Sequence, residues 1–405
     1  MSTFDLFIAL DGNGLNGFEG LGGIARLRCA PDEDRWDIEV RYFDGVAGGH
    51  ATQINPQGTV GFLGNLSQTL LFFDPRTLAE IERVSTLQFV APDVSYASQT
   101  HVVWLEERAF VTVLGPDFYR FHLDDLAHPE RLGAHGVTLP HALKRSPSGR
   151  YLFYGAMDHD KLGYANQVGI FDLETKSARV VSLPATVWHL GVHPTRDVFY
   201  APTQRCAPQG TEFIEYTIAH FKNYLFEIDG ASARVTRHLT LAKDLPGQLT
   251  SDVVVTRDHV FYNACASSTI VRVDLATFRE VRFLDERAGA WDALVHWRTA
   301  WSNVVESASR ANIPGNPHVL LKALRATRFS ALDGSYGLQV SPDGRHLLSA
   351  HRGMNEVRVY DAVSLTLLKR VRFPSIQRLL PQHFGALDDP RLGFHHSALS
   401  TATLG

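Results

Sequence analysis

The chain has 405 residues, of which 44% are hydrophobic and 20% are charged. This composition supports a large buried core, and the lack of any window near 18 uninterrupted apolar residues argues against a membrane span. The formal net charge of -4 excludes the strongly basic surface of a protein that binds a phosphate backbone, so we expect no nucleic-acid partner.

The first strand of the chain, FDLFIAL from Phe4 to Leu10, follows almost directly on the N-terminus. The starting sequence MSTFDLFIALDG lacks the basic stretch and the small-residue cleavage site of a secretory signal peptide. The cysteines, Cys29, Cys206 and Cys265, are too few and too scattered for a disulfide framework or a CxxC metal site. We therefore expect a soluble, cytoplasmic protein.

One short pattern recurs from one end of the chain to the other. It consists of a strand with alternating apolar residues, an Asp-centred turn and a second strand, as in VGIFDLETKSARVVSL. The copies begin at Ala25, Leu70, Tyr119, Val168, Tyr224, Ile270 and Val357. Alternation with a period of two predicts strands, and Asp, Gly, Pro and Asn between them predict hairpin turns. The spacing between copies is nearly regular, apart from a longer gap before the last one.

A second hairpin precedes most copies, so that each repeat has four strands. It is clearest in LQVSPDGRHLLSAHRGMNEVRVYDAVSLTLL, which begins at Leu338. Four strands per repeat and seven repeats predict an all-β, seven-bladed β-propeller. The same stretch, with its SPDG turn and V-x-V-x-D strand, resembles the repeat of bacterial seven-bladed propellers of the YVTN and lactonase-like superfamily. The resemblance implies the fold, and by itself it implies no activity.

The two ends of the chain are expected to close the ring. The strand from Phe4 to Leu10 has the character of a second strand without a first, whereas FHHSALSTATLG at the C-terminus has the character of a first strand with nothing after it. The C-terminal strand would therefore complete blade one. Residues 1–405 would then form a single domain.

The longest interruption of the repeat lies between blades six and seven, at about residues 287–334. Its apolar residues recur at three- and four-residue steps, which predicts an amphipathic helix. They are Trp291, Leu294, Trp297, Trp301 and Val304. This helix would either cover the mouth of the propeller or join two subunits in a homodimer, and the sequence leaves both roles open. Two shorter excursions, 203–220 and 374–393, open onto the same face, which favours a small-molecule site beneath it.

Histidine is unusually frequent, with 19 residues against 3 methionines. In a propeller the first strand of each blade starts at the upper face beside the central axis, and most blades of this chain have a histidine there. These are His50, His101, His141, His189 and, of the neighbouring pair His395 and His396, preferably His396. Imidazole nitrogens that converge on one axis are good ligands for iron, copper or zinc. Blades six and seven would contribute Asp252 and Tyr336 as polar groups near a substrate.

The other histidines are expected to have ordinary roles. His122, His128 and His238 fall in outer strands or turns and would be solvated. His193 occupies a turn position. His351, near the upper end of a second strand, would lie beside the ligands.

The histidine-rich axis is similar to that of two kinds of propeller enzyme, the carotenoid-cleaving oxygenases and the selenium-binding methanethiol oxidases. This resemblance implies an oxidoreductase or oxygenase that uses Fe(II) or copper, held by the axial histidines, on a small organic substrate. In this hypothesis Asp252 and Tyr336 are the candidate catalytic residues.

Two other functions are open at the level of the sequence. A metal-free lactonase or lyase would use an axial histidine as a general base, with His141, Arg205 and Glu212 as the candidate residues. A non-catalytic propeller would bind a small ligand or a protein through its upper face. Chelators separate the first alternative from the metal hypothesis, because activity of a metal-free enzyme would not depend on them.

Overall fold

The fold is a ring of seven four-stranded antiparallel sheets, as the repeat predicts. The computed structural model describes residues 3–11, 21–90, 100–157, 165–203, 205–206, 224–240, 250–301, 332, 334–383 and 390–401. Blades one to three contain β1 (Phe4–Leu10), β2 (Leu21–Ala30), β3 (Arg35–Asp44), β4 (Gly49–Ile54), β5 (Gly61–Asn65), β6 (Thr69–Phe73), β7 (Glu80–Ser85), β8 (Val102–Trp104), β9 (Ala109–Leu114), β10 (Asp117–His122) and β11 (Asp125–Ala134).

Blades four and five follow the same plan, with one short additional pair of strands. Their strands are β12 (Pro140–Arg145), β13 (Tyr151–Ala156), β14 (Gln167–Asp172), β15 (Ser177–Ser182), β16 (Ala185–Thr186), β17 (Gly191–Val192), β18 (Val198–Pro202), β19 (Arg205–Cys206), β20 (Tyr224–Asp229) and β21 (Arg234–Thr240). The additional pair, β16 and β19, forms a two-stranded ribbon.

The last two blades and the closing strand complete the ring. Their strands are β22 (Val253–Val255), β23 (His259–Ala264), β24 (Thr269–Asp274), β25 (Arg279–Asp285), β26 (Ser335–Val340), β27 (His346–His351), β28 (Glu356–Asp361), β29 (Leu367–Arg372) and β30 (Phe394–Ser400). Strand β30 pairs antiparallel with β1, with Leu6 opposite Leu399. The prediction that the C-terminal strand completes blade one is therefore confirmed.

The core is divided among the interfaces between neighbouring blades. In the described residues each of the seven interfaces has its own apolar cluster, including the one between blades seven and one, where Ile8 packs near Leu348. Middle strands such as β9 are buried along their whole length, whereas the outer strand β7 is largely exposed. Because each sheet buries both faces against its neighbours, closing the ring removes the last unpaired interface.

The Asp-centred hairpin has the same geometry in five of the seven blades. The Asp carboxylate accepts hydrogen bonds from backbone N–H groups two or three residues later, as Asp172 does from Glu174 and Thr175. The residue four positions after each Asp has a positive φ of 50° to 59°. These residues are Leu78, Lys176, Ala233, Phe278 and Leu365. The carboxylate therefore holds a backbone turn that non-glycine residues rarely adopt, which explains why Asp recurs there.

Helices are few and short in the described part of the chain. The α-helices are α1 (Ala290–Val295) and α2 (Ile376–Leu379), and a further helical turn covers 297–301. Short 3-10 helices occur at Pro31–Glu33, Thr86–Gln88, Cys265–Ser267, Arg352–Met354 and Pro381–His383. No helix among the described residues is long and apolar enough to cross a membrane.

The predicted helix between blades six and seven is present, but its tryptophans face outward. Trp291 is 73% exposed and Trp301 is 66% exposed. Asp292 of this helix lies 3.7 Å from Arg370 on the outer strand of blade seven. The described part of the helix thus lies against the edge of blade seven. Val304 and most of the insertion fall outside the described residues.

Candidate metal centre

Six histidine rings form one cluster on the propeller axis. The ring of His50 has its centroid 5.5 Å from that of His101, 5.2 Å from that of His141 and 5.0 Å from that of His396. His189 lies beside this group, 4.7 Å from His141 and 4.5 Å from His396. The sixth ring is that of His395, 4.2 Å from His50. The five histidines selected from the sequence therefore lie together, with His395 added to them.

Irregular pairing in two inner strands turns three of these side chains toward the axis. In β4, Gly49 pairs with Asn65 and Ala51 pairs with Gly64, so His50 is an extra residue in the ladder. In β30, Ser397 pairs with Ile8 and Phe394 pairs with Leu10, so His395 and His396 together face the single residue Ala9. A β-bulge of this kind breaks the alternation of side chains between the two faces of a sheet. Both members of the His395–His396 pair can therefore reach the cluster.

Glycines behind the cluster allow the blades to approach one another closely. A Cβ atom on Gly64 would lie 1.9 Å from the carbonyl oxygen of Thr100, the residue before His101. A Cβ atom on Gly155 would lie 2.2 Å from the carbonyl oxygen of Trp188, the residue before His189. Only glycine fits at these points, because the neighbouring atoms belong to the backbone and cannot rotate away. The two glycines thereby set the positions of two histidines in the following blades.

Burial keeps the imidazoles of the cluster neutral. It lowers the pKa of His50 to about 4, and it lowers the pKa of His101 and of His141 well below the ordinary value, assisted by the charges that neighbouring imidazoles would carry. The same causes lower the pKa of His189, His395 and His396. A neutral imidazole offers a nitrogen lone pair, which is the form that binds a metal ion.

The nitrogen atoms have a spacing that suits a transition metal. One ligand nitrogen from each of His50, His101, His141 and His396 lies within 4.8 Å of all the others, and Nε2 of His50 is 3.4 Å from Nε2 of His141. Metal–nitrogen bonds of about 2.0–2.1 Å place tetrahedral ligands about 3.4 Å apart and opposite ligands about 4.1 Å apart. The four side chains would therefore need shifts of less than about 1 Å to bind one ion.

Several buried ring nitrogens in the cluster have no hydrogen-bond partner among the described residues. They are Nδ1 of His141, Nδ1 of His395 and Nε2 of His396. A buried polar atom without a partner costs about 1–3 kcal/mol. In contrast, Nδ1 of His101 is 3.0 Å from Oγ1 of Thr100, an interaction that would orient its ring and leave Nε2 for a ligand. In a site of four histidines each ring gives one nitrogen to the metal, so a bound cation would give partners to part of this set, and the residues present fit a metal ion.

Asp252 and Tyr336 lie beside different histidines of this cluster. Asp252 lines a small cavity together with His101, His189 and His396. Burial raises the pKa of its carboxyl group to about 6, although nearby Lys144 and backbone hydrogen bonds act in the opposite direction.

Tyr336 lies at the rim of the cluster, next to His395, the member of the His395–His396 pair that the sequence did not favour as a ligand. Its ring centroid is 5.3 Å from that of His395, and the guanidinium of Arg352 lies 5.0 Å above its ring. Arg352 also forms an ion pair with Asp11 at 2.6 Å. Tyr336 occupies a bulge in β26 equivalent to that of His50 in β4. The repeat thus presents a tyrosine to the axis where blade two presents a histidine.

Sequence alternation does not reveal the lysine of the axial cavity. Lys144 lines the cavity, although it stands an odd number of residues after His141 on β12 and strict alternation would turn it away. In β12 an extra residue is inserted between His141 and Lys144, and Ala142 within this bulge has a φ of 49°. The bulge reverses the alternation, so both side chains reach the axis.

The other histidines among the described residues lie away from the axial cluster. His122, His128 and His238 are exposed, as expected. Nδ1 of His193 accepts a hydrogen bond from the backbone N–H of Thr195, which agrees with a role in a turn.

His351 does not contact the axial rings in the described structure. It is fully buried, and its Nε2 is 3.3 Å from the carbonyl oxygen of Glu286. The Glu286 carboxylate accepts hydrogen bonds from Ser349 and Tyr360. His351 therefore belongs to a polar cluster between blades six and seven, and the expectation that it lies beside the ligands is not supported. The side chain of Arg205 and all of Glu212 fall outside the described residues.

Comparison with known proteins supports the fold and names no family. No protein-family model matches the chain, and no curated protein matches it. Among solved structures, the chain is similar to hydrazine synthase of Kuenenia stuttgartiensis, with a TM-score of 0.54 and 13% identity, covering 81% of this chain and 87% of that one. It is also similar to the dihydro-heme d1 dehydrogenase NirN in complex with DHE, with a TM-score of 0.51 and 13% identity, covering 97% of this chain and 74% of that one.

Proposed function

We propose that the chain is a metal-dependent oxidoreductase in which His50, His101, His141 and His396 hold one Fe or Cu ion on the propeller axis. The observation that carries this proposal is the convergence of four buried imidazole nitrogens within 4.8 Å of one another. Imidazole ligands suit iron and copper, and a set of four leaves coordination positions free on either metal. When bound, the metal would supply reversible electron transfer and a position for a small substrate.

The protein's own contribution is to keep the ligands neutral, oriented and dry. Bulges in the inner strands aim His50 and His396 at the cluster, and Thr100 orients His101 through its Nδ1. His189 and His395 lie against the ligand rings and would restrict their motion or exchange with them as ligands. Asp252 and Tyr336, which lie beside different histidines of the cluster, are proposed as the polar groups nearest a substrate.

Two further facts support an enzymatic role. The similar solved structures are a synthase and a dehydrogenase by name, although identity of 13% carries only the fold. In addition, several buried ring nitrogens of the cluster have no hydrogen-bond partner among the described residues. A structural role would be served more simply by apolar side chains, since buried polar groups without partners destabilise a core.

The test is the metal content of protein purified without a His-tag or a metal column, measured by plasma mass spectrometry. We expect about one equivalent of iron or copper per chain in the wild type and a loss of most of it in His141→Ala. The matched control is His128→Ala, because the His128 side chain is 81% exposed and far from the cluster. Circular dichroism of both variants establishes that they are folded.

The alternatives make different predictions in the same experiment. A wild type that stays free of metal after incubation with Fe(II), Cu and Zn contradicts the proposal, and the neutral His141 would then be a candidate general base of a lactonase or lyase. Stoichiometric zinc alone contradicts the redox role, because zinc has no redox chemistry. A non-catalytic binding protein would still bind its partner after substitution of any one axial histidine.

A further inference from the structure

We propose that the axial cavity beneath the histidines is a binding site for a small anion, held by the ammonium group of Lys144. The inference rests on the proposed function, because a metal ion supplies part of the positive charge. It adds a residue and a ligand class that the histidine cluster alone does not specify. The ligand would be an anion of one to three heavy atoms.

The cavity lies where the inner strands continue below the histidine rings. His101, His189 and His396 form its upper wall. Lys144, Asp252 and Ser397, with Thr52 and Gln53, supply its polar lining. A ligand in this space would therefore contact the imidazoles on one side and the ammonium group on the other.

The charges around the cavity are unbalanced toward the positive side once a metal is bound. Asp252 is the acidic residue of the lining, and its oxygens already accept hydrogen bonds from the backbone N–H groups of Val253 and Leu338. Lys144 is half-buried and makes no hydrogen bond or ion pair with a described residue. One carboxylate cannot offset both an ammonium group and a divalent ion, so an additional anion would stabilise the site.

The size of the cavity restricts the ligand. Its volume of about 20 Å³ exceeds the roughly 10–15 Å³ that a single water requires, so a short anion of up to three atoms in a row fits and a larger one does not. Thr52 and Ser397 place hydroxyl groups in the wall, and Oγ1 of Thr52 has no hydrogen-bond partner within the described part of the chain. Hydroxide, a halide or a triatomic anion would fit, whereas a carboxylic acid with an organic body would not enter without displacing the strands.

The test is titration of the copper-loaded protein with azide, followed by the ligand-to-metal charge-transfer band in the visible spectrum. Wild type is compared with Lys144→Met, which keeps the length of the side chain and removes its charge, and with Lys144→Arg, which keeps the charge. Lys369→Met is the control, because Lys369 lies on the surface and pairs with Asp34 at 2.8 Å. Copper content is measured on every sample before the titration.

We expect the dissociation constant for azide to rise about tenfold or more in Lys144→Met and to stay within about threefold of wild type in Lys144→Arg and Lys369→Met. Equal azide affinity in wild type and Lys144→Met, with equal copper content, overturns this inference and leaves the metal site standing. A wild type that binds no copper, iron or zinc overturns both. The metal content of the samples therefore separates the two failures.

Discussion

Substitution of Gly155 by alanine tests the link between blade packing and the histidine cluster. Gly155 lies on β13 and pairs with His141 across the inner two strands of blade four. A Cβ atom at this position would lie 2.2 Å from the carbonyl oxygen of Trp188 and 2.6 Å from that of Val187. Both contacts are with backbone of the connection that carries His189. Alanine can therefore be accommodated only if this connection moves outward.

The size of the effect follows from these distances. Restoring a normal contact of about 3.2 Å requires a movement of about 1 Å, and such overpacking typically costs about 1–3 kcal/mol. The lower chain entropy of unfolded alanine offsets about 0.4–1 kcal/mol of this. We expect a net loss of about 1–2 kcal/mol in the free energy of unfolding. Metal affinity should fall about tenfold or more, because metal–ligand distances tolerate only about 0.2 Å.

The assay combines urea unfolding of the metal-free protein with a competitive metal titration. The control is Gly289→Ala, because a Cβ atom there would meet nothing closer than 3.7 Å, at Oδ2 of Asp292. The reasoning is refuted if Gly155→Ala matches this control in both stability and metal affinity. A loss of stability with unchanged metal affinity would refute only the coupling between the glycine and the cluster.

Three further predictions concern stability. Burial raises the pKa of Glu227, but hydrogen bonds from Arg237 and two hydroxyl groups outweigh it and hold that pKa below its ordinary value of 4.5. The resulting stabilisation is present above pH 4.5 and is lost as the pH falls through the lowered pKa. Urea titrations across this range should therefore show a smaller acid-induced loss of stability in Glu227→Gln than in wild type. The Tyr360 hydroxyl donates a hydrogen bond to the buried Glu286 carboxylate at 2.9 Å. Tyr360→Phe should therefore lower the free energy of unfolding by about 2 kcal/mol in denaturant titrations. A loss of less than about 0.5 kcal/mol would contradict the strength expected of this hydrogen bond. Free copper or Fe(II) at 100 times its dissociation constant should raise the free energy of unfolding by about 2.7 kcal/mol, as measured by thermal scanning, and no such rise is expected in His141→Ala.

The repeat in the sequence was sufficient to establish the architecture. Alternation and the Asp-centred turns predicted seven blades, and the turns of five blades share a single hydrogen-bonded geometry, as at Asp172. The character of the first and last strands predicted the closing pair of β1 and β30. These features are local, because a strand pattern and a turn depend on residues within a few positions of each other. Equivalent positions in successive repeats also indicated which histidines lie at the axis.

The composition of the axial site depended on tertiary structure. Strict alternation allows only one of His395 and His396 to face the axis and turns Lys144 away from it. Bulges in β30 and β12 bring all three side chains to the axial cluster or its cavity. An inserted residue in an inner strand has no mark in the sequence, because it is stabilised by the neighbouring strand and blade. The sequence by itself therefore determined the number and order of the blades, while contacts between blades decided which side chains meet at the centre.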